Sequence, residues 1–163
     1  MSYNNDYLER EENVGAGVFG AFLLALIGGL VYVCLYWINI FPPIAGILIV
    51  VLAIVGFRLF GKQPSLKSVF ISLAVSIVVL LIATYFTLAI DAYYAYADWY
   101  ANGETESQIS MAQSVLYGYQ FLAEPSLLFY YLKQIGLSLL FCIAGTILFI
   151  VDGVKLYKEM KEY

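Results

Sequence analysis

The order of apolar and polar residues divides this chain into long uncharged runs separated by short polar breaks. No charged residue occurs between Glu12 and Arg58, between Lys67 and Asp91, or between Lys133 and Asp152. About 20 residues cross a hydrocarbon core of about 30 Å, so the first run is too long for one helix. Asn39 and the Pro42–Pro43 pair divide it, because proline removes a backbone donor and disfavours helix in the residue before it. The pattern predicts helices over about 14–38 and 42–60 as a hairpin, with Tyr36 and Trp37 at an interfacial belt. Gly61–Ser65 reads as a turn, with Ser65 as N-cap of the next helix. That helix spans about 67–101 and stops at Asn102–Gly103, which tolerate the left-handed conformation of a helix end. The fourth spans about 127–155, after the break Glu124–Pro125–Ser126.

A different period governs residues 105–123. Ile109, Ala112, Val115, Leu116, Tyr119 and Leu122 recur at three- and four-residue spacing with polar residues between them, which predicts an amphipathic helix lying at a surface or on the bundle. The expected fold class is therefore all-α: a single four-helix transmembrane bundle with an extracytoplasmic amphipathic helix between helices 3 and 4. The outer module covers about 91–126.

Composition sharpens this picture. The 163 residues are 63% hydrophobic and 12% charged, about half the charged share of a soluble domain. The net charge of −4 argues against a nucleic-acid partner, which calls for a basic face. The first thirteen residues carry four acids and one arginine, the reverse of a signal peptide, so the first apolar run is expected to stay as a helix. Histidine is absent, and Cys34 and Cys142 both fall in apolar runs, which leaves no spacing for a zinc, haem or iron–sulfur site. No cofactor is expected.

Basic residues give an orientation. Arg10, Arg58, Lys62, Lys67, Lys155, Lys158 and Lys161 fall on one side of a four-helix topology, with Lys133 alone elsewhere. The positive-inside rule then predicts a multi-pass protein of the cell membrane with both termini cytoplasmic. GFRLFGK at 56–62 echoes GVKLYKE at 153–159, the pattern a duplicated hairpin would leave; basic and aromatic residues common at any cytoplasmic helix end are the plainer account.

Candidate chemistry is sparse. Gly15-Ala-Gly17-Val-Phe-Gly20 fits G-x-G-x-x-G, but that motif binds a dinucleotide only after a strand. Here a polar segment precedes it and an apolar span follows. Gly17, Ala21, Ala25 and Gly29 instead form a small-residue face that lets another helix approach, from this chain or from a second copy. Ser68, Ser72 and Ser76, followed by Thr84 and Thr87, make a polar stripe suited to packing or, less simply, to a wet path. Asp91 and Asp98, seven residues apart, are expected on one helix face among Tyr93, Tyr94, Tyr96, Trp99 and Tyr100. Carboxylates with aromatic faces suit a cationic ligand or partner, and an interfacial belt with a solvated acidic face is the plainer account. Asp91, Tyr96, Asp98 and Trp99 are the candidate contacts, with Lys133 expected to pair with Asp91 or Glu124. No catalytic set and no mid-membrane ionisable group are visible.

The segments EENVGAGVFGAFLLALIGGLVYV and GFRLFGK, with the serine-led helix after them, resemble uncharacterised small multi-pass membrane proteins of anaerobic Gram-positive bacteria. The resemblance covers the first half and implies four membrane helices and no activity. The function expected from the residues is a scaffold or accessory subunit acting through helix packing and an acidic, aromatic outer module, on a lipid bilayer and with a membrane partner or a second copy. An oligomeric channel or small transporter is the alternative, and an enzyme ranks last.

Overall fold

The computed structural model describes residues 13–61 and 66–161, with side chains to Val151 in the last helix. The polar start of the chain, most of the 61–65 turn with Ser65, and the second half of the 56–62/153–159 echo lie outside the described residues or side chains.

Five α-helices form among the described residues: α1 Val14–Trp37, α2 Ala45–Gly61, α3 Leu66–Ala101, α4 Met111–Tyr117 and α5 Pro125–Lys161. Short 3-10 turns at Pro42–Ile44 and Gly118–Ala123 precede α2 and follow α4. Four of the helices are long and apolar enough to cross a membrane.

Chain reversals follow from local chemistry. Asn39 takes φ 55° just past α1, where the Ile40 N–H reaches the Leu35 carbonyl at 2.9 Å and the Asn39 N–H reaches that of Tyr36 at 3.1 Å. This is a Schellman closure with asparagine in the left-handed position. Gly103, φ 74°, closes α3 in the same way, with the Glu104 N–H on the Trp99 carbonyl at 2.8 Å. Asn13 caps the start of α1 by accepting the Ala16 N–H at 3.0 Å.

The four long helices pack as a diamond. α2 and α3 lie on its short diagonal and touch each other and both outer helices, whereas α1 and α5 share no packed face among the described residues. The largest interface is α1 on α2. Tyr32, Ile49, Ile54, Phe57, Val79, Leu80 and Cys142 fill the centre. Large apolar side chains such as Phe19, Leu30, Phe70, Phe129 and Leu148 point outward. An apolar exterior is the arrangement that lipid solvates and water does not.

One expectation about the helices needs correction. The helix between α3 and α5 begins at Met111, not near 105. Ser110 and Gln113 form a capping box there, with the Gln113 N–H on Ser110 Oγ at 3.3 Å and the Ser110 N–H on Gln113 Oε1 at 2.8 Å. Its contact face also differs from the apolar face read from the sequence. Ser114 and Gly118 are buried, while Ala112, Leu116 and Tyr119 are exposed. A Cβ on Gly118 would stand 3.6 Å from the Ala89 Cα of α3. Small residues win this face because they let two backbones approach.

Candidate functional site

The densest polar geometry lies at the end of the bundle where α1 turns into α2, the loop end. Tyr36 at the close of α1 and Tyr131 in the second turn of α5 both donate their phenol hydroxyls to Oδ2 of Asp91 on α3. Tyr131 is buried; Tyr36 and Asp91 are half-buried. Among the described residues α1 and α5 share no packed face, and this carboxylate joins the two outer helices through α3. Hydrogen bonds to an ionised acceptor are the strong kind, and low surrounding polarity strengthens them further.

A cavity of about 340 Å³ opens beside Asp91, walled by Tyr36, Tyr94, Tyr130 and the Asn39–Pro42 turn. A second, of about 280 Å³, lies on the other side of Phe41 and Pro42 and is lined by Lys133, Gln134 and Leu137. Gln134 is only 6% exposed, and neither its Nε2 nor its Oε1 has a hydrogen-bond partner.

Asp98 does not join Asp91. Seven residues of helix separate them by about 10 Å of rise, and α3 has by then run past the bundle, leaving Asp98 exposed. The pair therefore forms no joint carboxylate site. Trp99 stacks on Phe121 at 5.9 Å and 13°, and Tyr96 meets both rings edge-on at 5.1 and 5.8 Å. These rings border a cleft of about 620 Å³ that also includes Glu124 and Leu127. Tyr85 donates to the Val115 carbonyl at 2.6 Å. That carbonyl lies where α4 gives way to the 3-10 turn, so it needs an outside donor. Lys133 pairs with neither expected acid: Asp91 accepts the two tyrosines, and Glu124 accepts Ser126 Oγ at 2.8 Å.

From the opposite end, where α1 begins and α5 ends, Gly17, Ala21, Ala25 and Gly29 run along α1 and are all buried. A Cβ on Gly17 would stand 2.7 Å from the Phe57 ring of α2, and one on Gly29 would stand 3.0 Å from Val79 of α3. The closest approach, however, is Gly20 to Gly56, where a Cβ on Gly20 would meet the Gly56 carbonyl oxygen at 2.6 Å. Gly28 is as tight, with a Cβ there 2.8 Å from the Ile49 Cα. The face on α2 thus runs through Gly17, Gly20 and Gly28, and Gly29 serves α3. Arg58 lies over the Phe149 ring of α5 at 4.3 Å, a cation–π contact.

The serine stripe is buried, with Ser68, Ser72 and Ser76 all at or below 1% exposure. Ser72 and Ser76 donate to the carbonyls four residues back at 2.8 and 2.7 Å, and Thr87 donates to the Thr84 carbonyl at 2.7 Å. Ser138 and Thr146 on α5 do likewise. No group of three or more metal-ligating side chains occurs among the described residues. Cys34 and Cys142 are free thiols, the first exposed and the second buried with its Sγ 3.3 Å from the Gly46 carbonyl oxygen.

Tyr36, Tyr131 and Gln134 were not singled out by spacing. Tyr36 reads as an interfacial aromatic, and its partner is 55 residues away. Gln134 did leave a signal: it is the lone side-chain amide inside a predicted span.

Four apolar crossings, an apolar exterior and polar groups gathered at one end define a multi-pass integral membrane protein. No family model, curated protein or solved structure matches the chain.

Proposed function

We propose that this protein is a membrane scaffold or accessory subunit, with the bundle as a fixed base and the segment between α3 and α5 as its contact surface. The observation that carries this is how firmly that segment is fastened. The Tyr85–Val115 bond, the Trp99–Phe121 stack and the close Gly118–Ala89 approach hold it on α3. What it presents is acidic and aromatic: Asp98, Glu104 and Glu106 are exposed, as are Tyr117 and Tyr119. No lysine or arginine occurs between Lys67 and Lys133. A rigid surface of this kind binds with little ordering cost and favours a basic partner. The proposed orientation puts it outside the cell and both termini in the cytoplasm, in line with the basic residues.

Ser76 and Thr87 bond back to α3 itself, and Ser72 does so while also reaching the Ala53 carbonyl of α2 at 3.4 Å; hydroxyls satisfied in this way support a packing role over a conducting one.

The test is purification from native membranes under mild detergent, comparing the parent with Asp98→Asn/Glu104→Gln/Trp99→Ala. A stoichiometric partner held by the parent at low salt and released by the triple variant is expected. A variant that retains its partner and its function in cells would reduce the segment to a membrane-surface belt.

A further inference from the structure

We propose that the cavity between the Phe41–Pro43 turn and α5 is a phospholipid site that takes a headgroup carrying both a phosphodiester and a hydrogen-bond donor. The proposal is independent of the scaffold reading.

The first ground is Gln134. A side-chain amide offers two N–H donors and a carbonyl acceptor. Here both ends are without a partner, although the residue is more than nine-tenths buried. Leaving such a group unmet is costly, and a ligand that meets both ends must bring an acceptor and a donor together. Water at this site would meet the same need, and the experiment separates the two.

The second ground is Lys133, next in the chain and lining the same cavity. It is exposed and has no acidic partner among the described residues. From Lys133 to Val151 the helix runs eighteen residues, about 27 Å at 1.5 Å each, close to the hydrocarbon thickness. The ammonium therefore sits at the hydrocarbon boundary, the depth of lipid phosphates, and basic pockets between membrane helices recognise those groups.

The third ground is the remaining wall. Phe41, Pro42, Pro43 and Leu137 are apolar and, with the Tyr130 ring, suit an acyl chain. Proline adds to this because it presents no N–H of its own that would need a partner. A lipid is thus committed over a soluble phosphate ester, which would leave that wall uncovered. Phosphatidylglycerol meets all three demands: its phosphodiester pairs with Lys133, its phosphate or ester oxygen accepts from Nε2, and its glycerol hydroxyl donates to Oε1. Phosphatidylcholine has the phosphate but no donor.

The experiment uses the full chain in detergent, with lipid binding read by native mass spectrometry and thermal melting. Phosphatidylglycerol is expected to be retained about tenfold better than phosphatidylcholine and to raise the melting temperature more, the scale of one neutral hydrogen bond to a buried acceptor. Gln134→Leu should remove the preference for a headgroup donor. Lys133→Met should weaken both lipids about twofold to fivefold, and Lys133→Arg should restore them. Lys133 is exposed, so these two variants keep the fold even if Gln134→Leu disturbs it. Equal retention of the two lipids by the parent would overturn the proposal, as would an undiminished preference in Gln134→Leu. Glycerol 3-phosphate giving the same shift as phosphatidylglycerol would overturn the lipid as source.

Discussion

The two ends of the bundle hold their helices together by opposite means. At the terminal end, α1 meets α2 through missing side chains: Gly20 lies on the Gly56 carbonyl and Gly17 on the Phe57 ring. At the loop end, the outer helices meet through long side chains, the two tyrosines that converge on Asp91. Both solve one problem. Lipid is as apolar as leucine, so burial alone gives helices little reason to associate. Close backbones supply dispersion contacts that need no polar group, and they suit the depth of the bilayer. A shared carboxylate supplies directional bonds, and it belongs near the interface where a charge is tolerated. The glycine contact should be intolerant of any added atom. The carboxylate contact should be tolerant of size and intolerant of lost donors.

The sharpest way to break this contrast is Gly20→Leu. Its side chain has only the Gly56 carbonyl and the Phe60 ring to enter, and a loss of about 3 kcal/mol or more is expected in reversible unfolding in mixed micelles. If Gly20→Leu unfolds like the parent, the α1–α2 face is not a close contact. Tyr131→Phe should come next, at about 1.5–3 kcal/mol, because Tyr131 is buried and the change strips one donor from the half-buried carboxylate. Tyr36→Phe should cost less, being half-buried. The double variant should exceed the sum of the singles, since two donors on one oxygen weaken each other and either alone partly makes up for the loss of the other; strict additivity would mean that the two bonds are separate. Gly29→Leu should cost about 1 kcal/mol. Its Cβ would press on a Val79 methyl at 3.0 Å and touch the Ala83 methyl at 3.8 Å, and a cavity of about 280 Å³ bordered by Leu30, Val33 and Phe86 lies beside it to take the rest. Smallest of all is Ser76→Ala, expected within about 0.5 kcal/mol, because its hydroxyl serves only its own helix. A large effect of Ser76→Ala on stability, or on ion leakage in reconstituted vesicles, would show the stripe doing more than packing.

The same contrast explains what was legible in the sequence. Element existence was legible: uncharged length marks a crossing, and Asn39 and Gly103 mark reversals whose left-handed backbones are local matters. The glycine-rich stretch was legible as a packing helix. Which glycines meet a backbone was not, because a face broad enough to hold Gly17, Gly20, Gly28 and Gly29 serves both α2 and α3. The partners of Asp91 were out of reach for a related reason. Tyr36 and Tyr131 lie 55 and 40 residues away, and nothing in local spacing records who meets across a bundle. The segment after α3 misled in another way. Its apolar period pointed to Leu116 and Tyr119, but the contact went to Ser114 and Gly118, where less atom means closer approach. Gly103, with nothing within 4 Å of an added Cβ, is limited by its φ of 74° and not by space. Gly103→Ala should therefore cost about 1 kcal/mol through backbone strain alone.

The spacing of the Asp91 partners also sets an order of events during synthesis. The α1–α2 contact joins residues about 20 to 45 apart along the chain, so it can close as soon as both helices have entered the membrane. The carboxylate contact waits for Tyr131, late in the chain. Until α5 arrives, Asp91 has one of its two donors, and the growing chain is a three-helix intermediate with an unfinished loop end. Assembly would then run from the glycine end towards the carboxylate end, with the last helix fastening the first through α3.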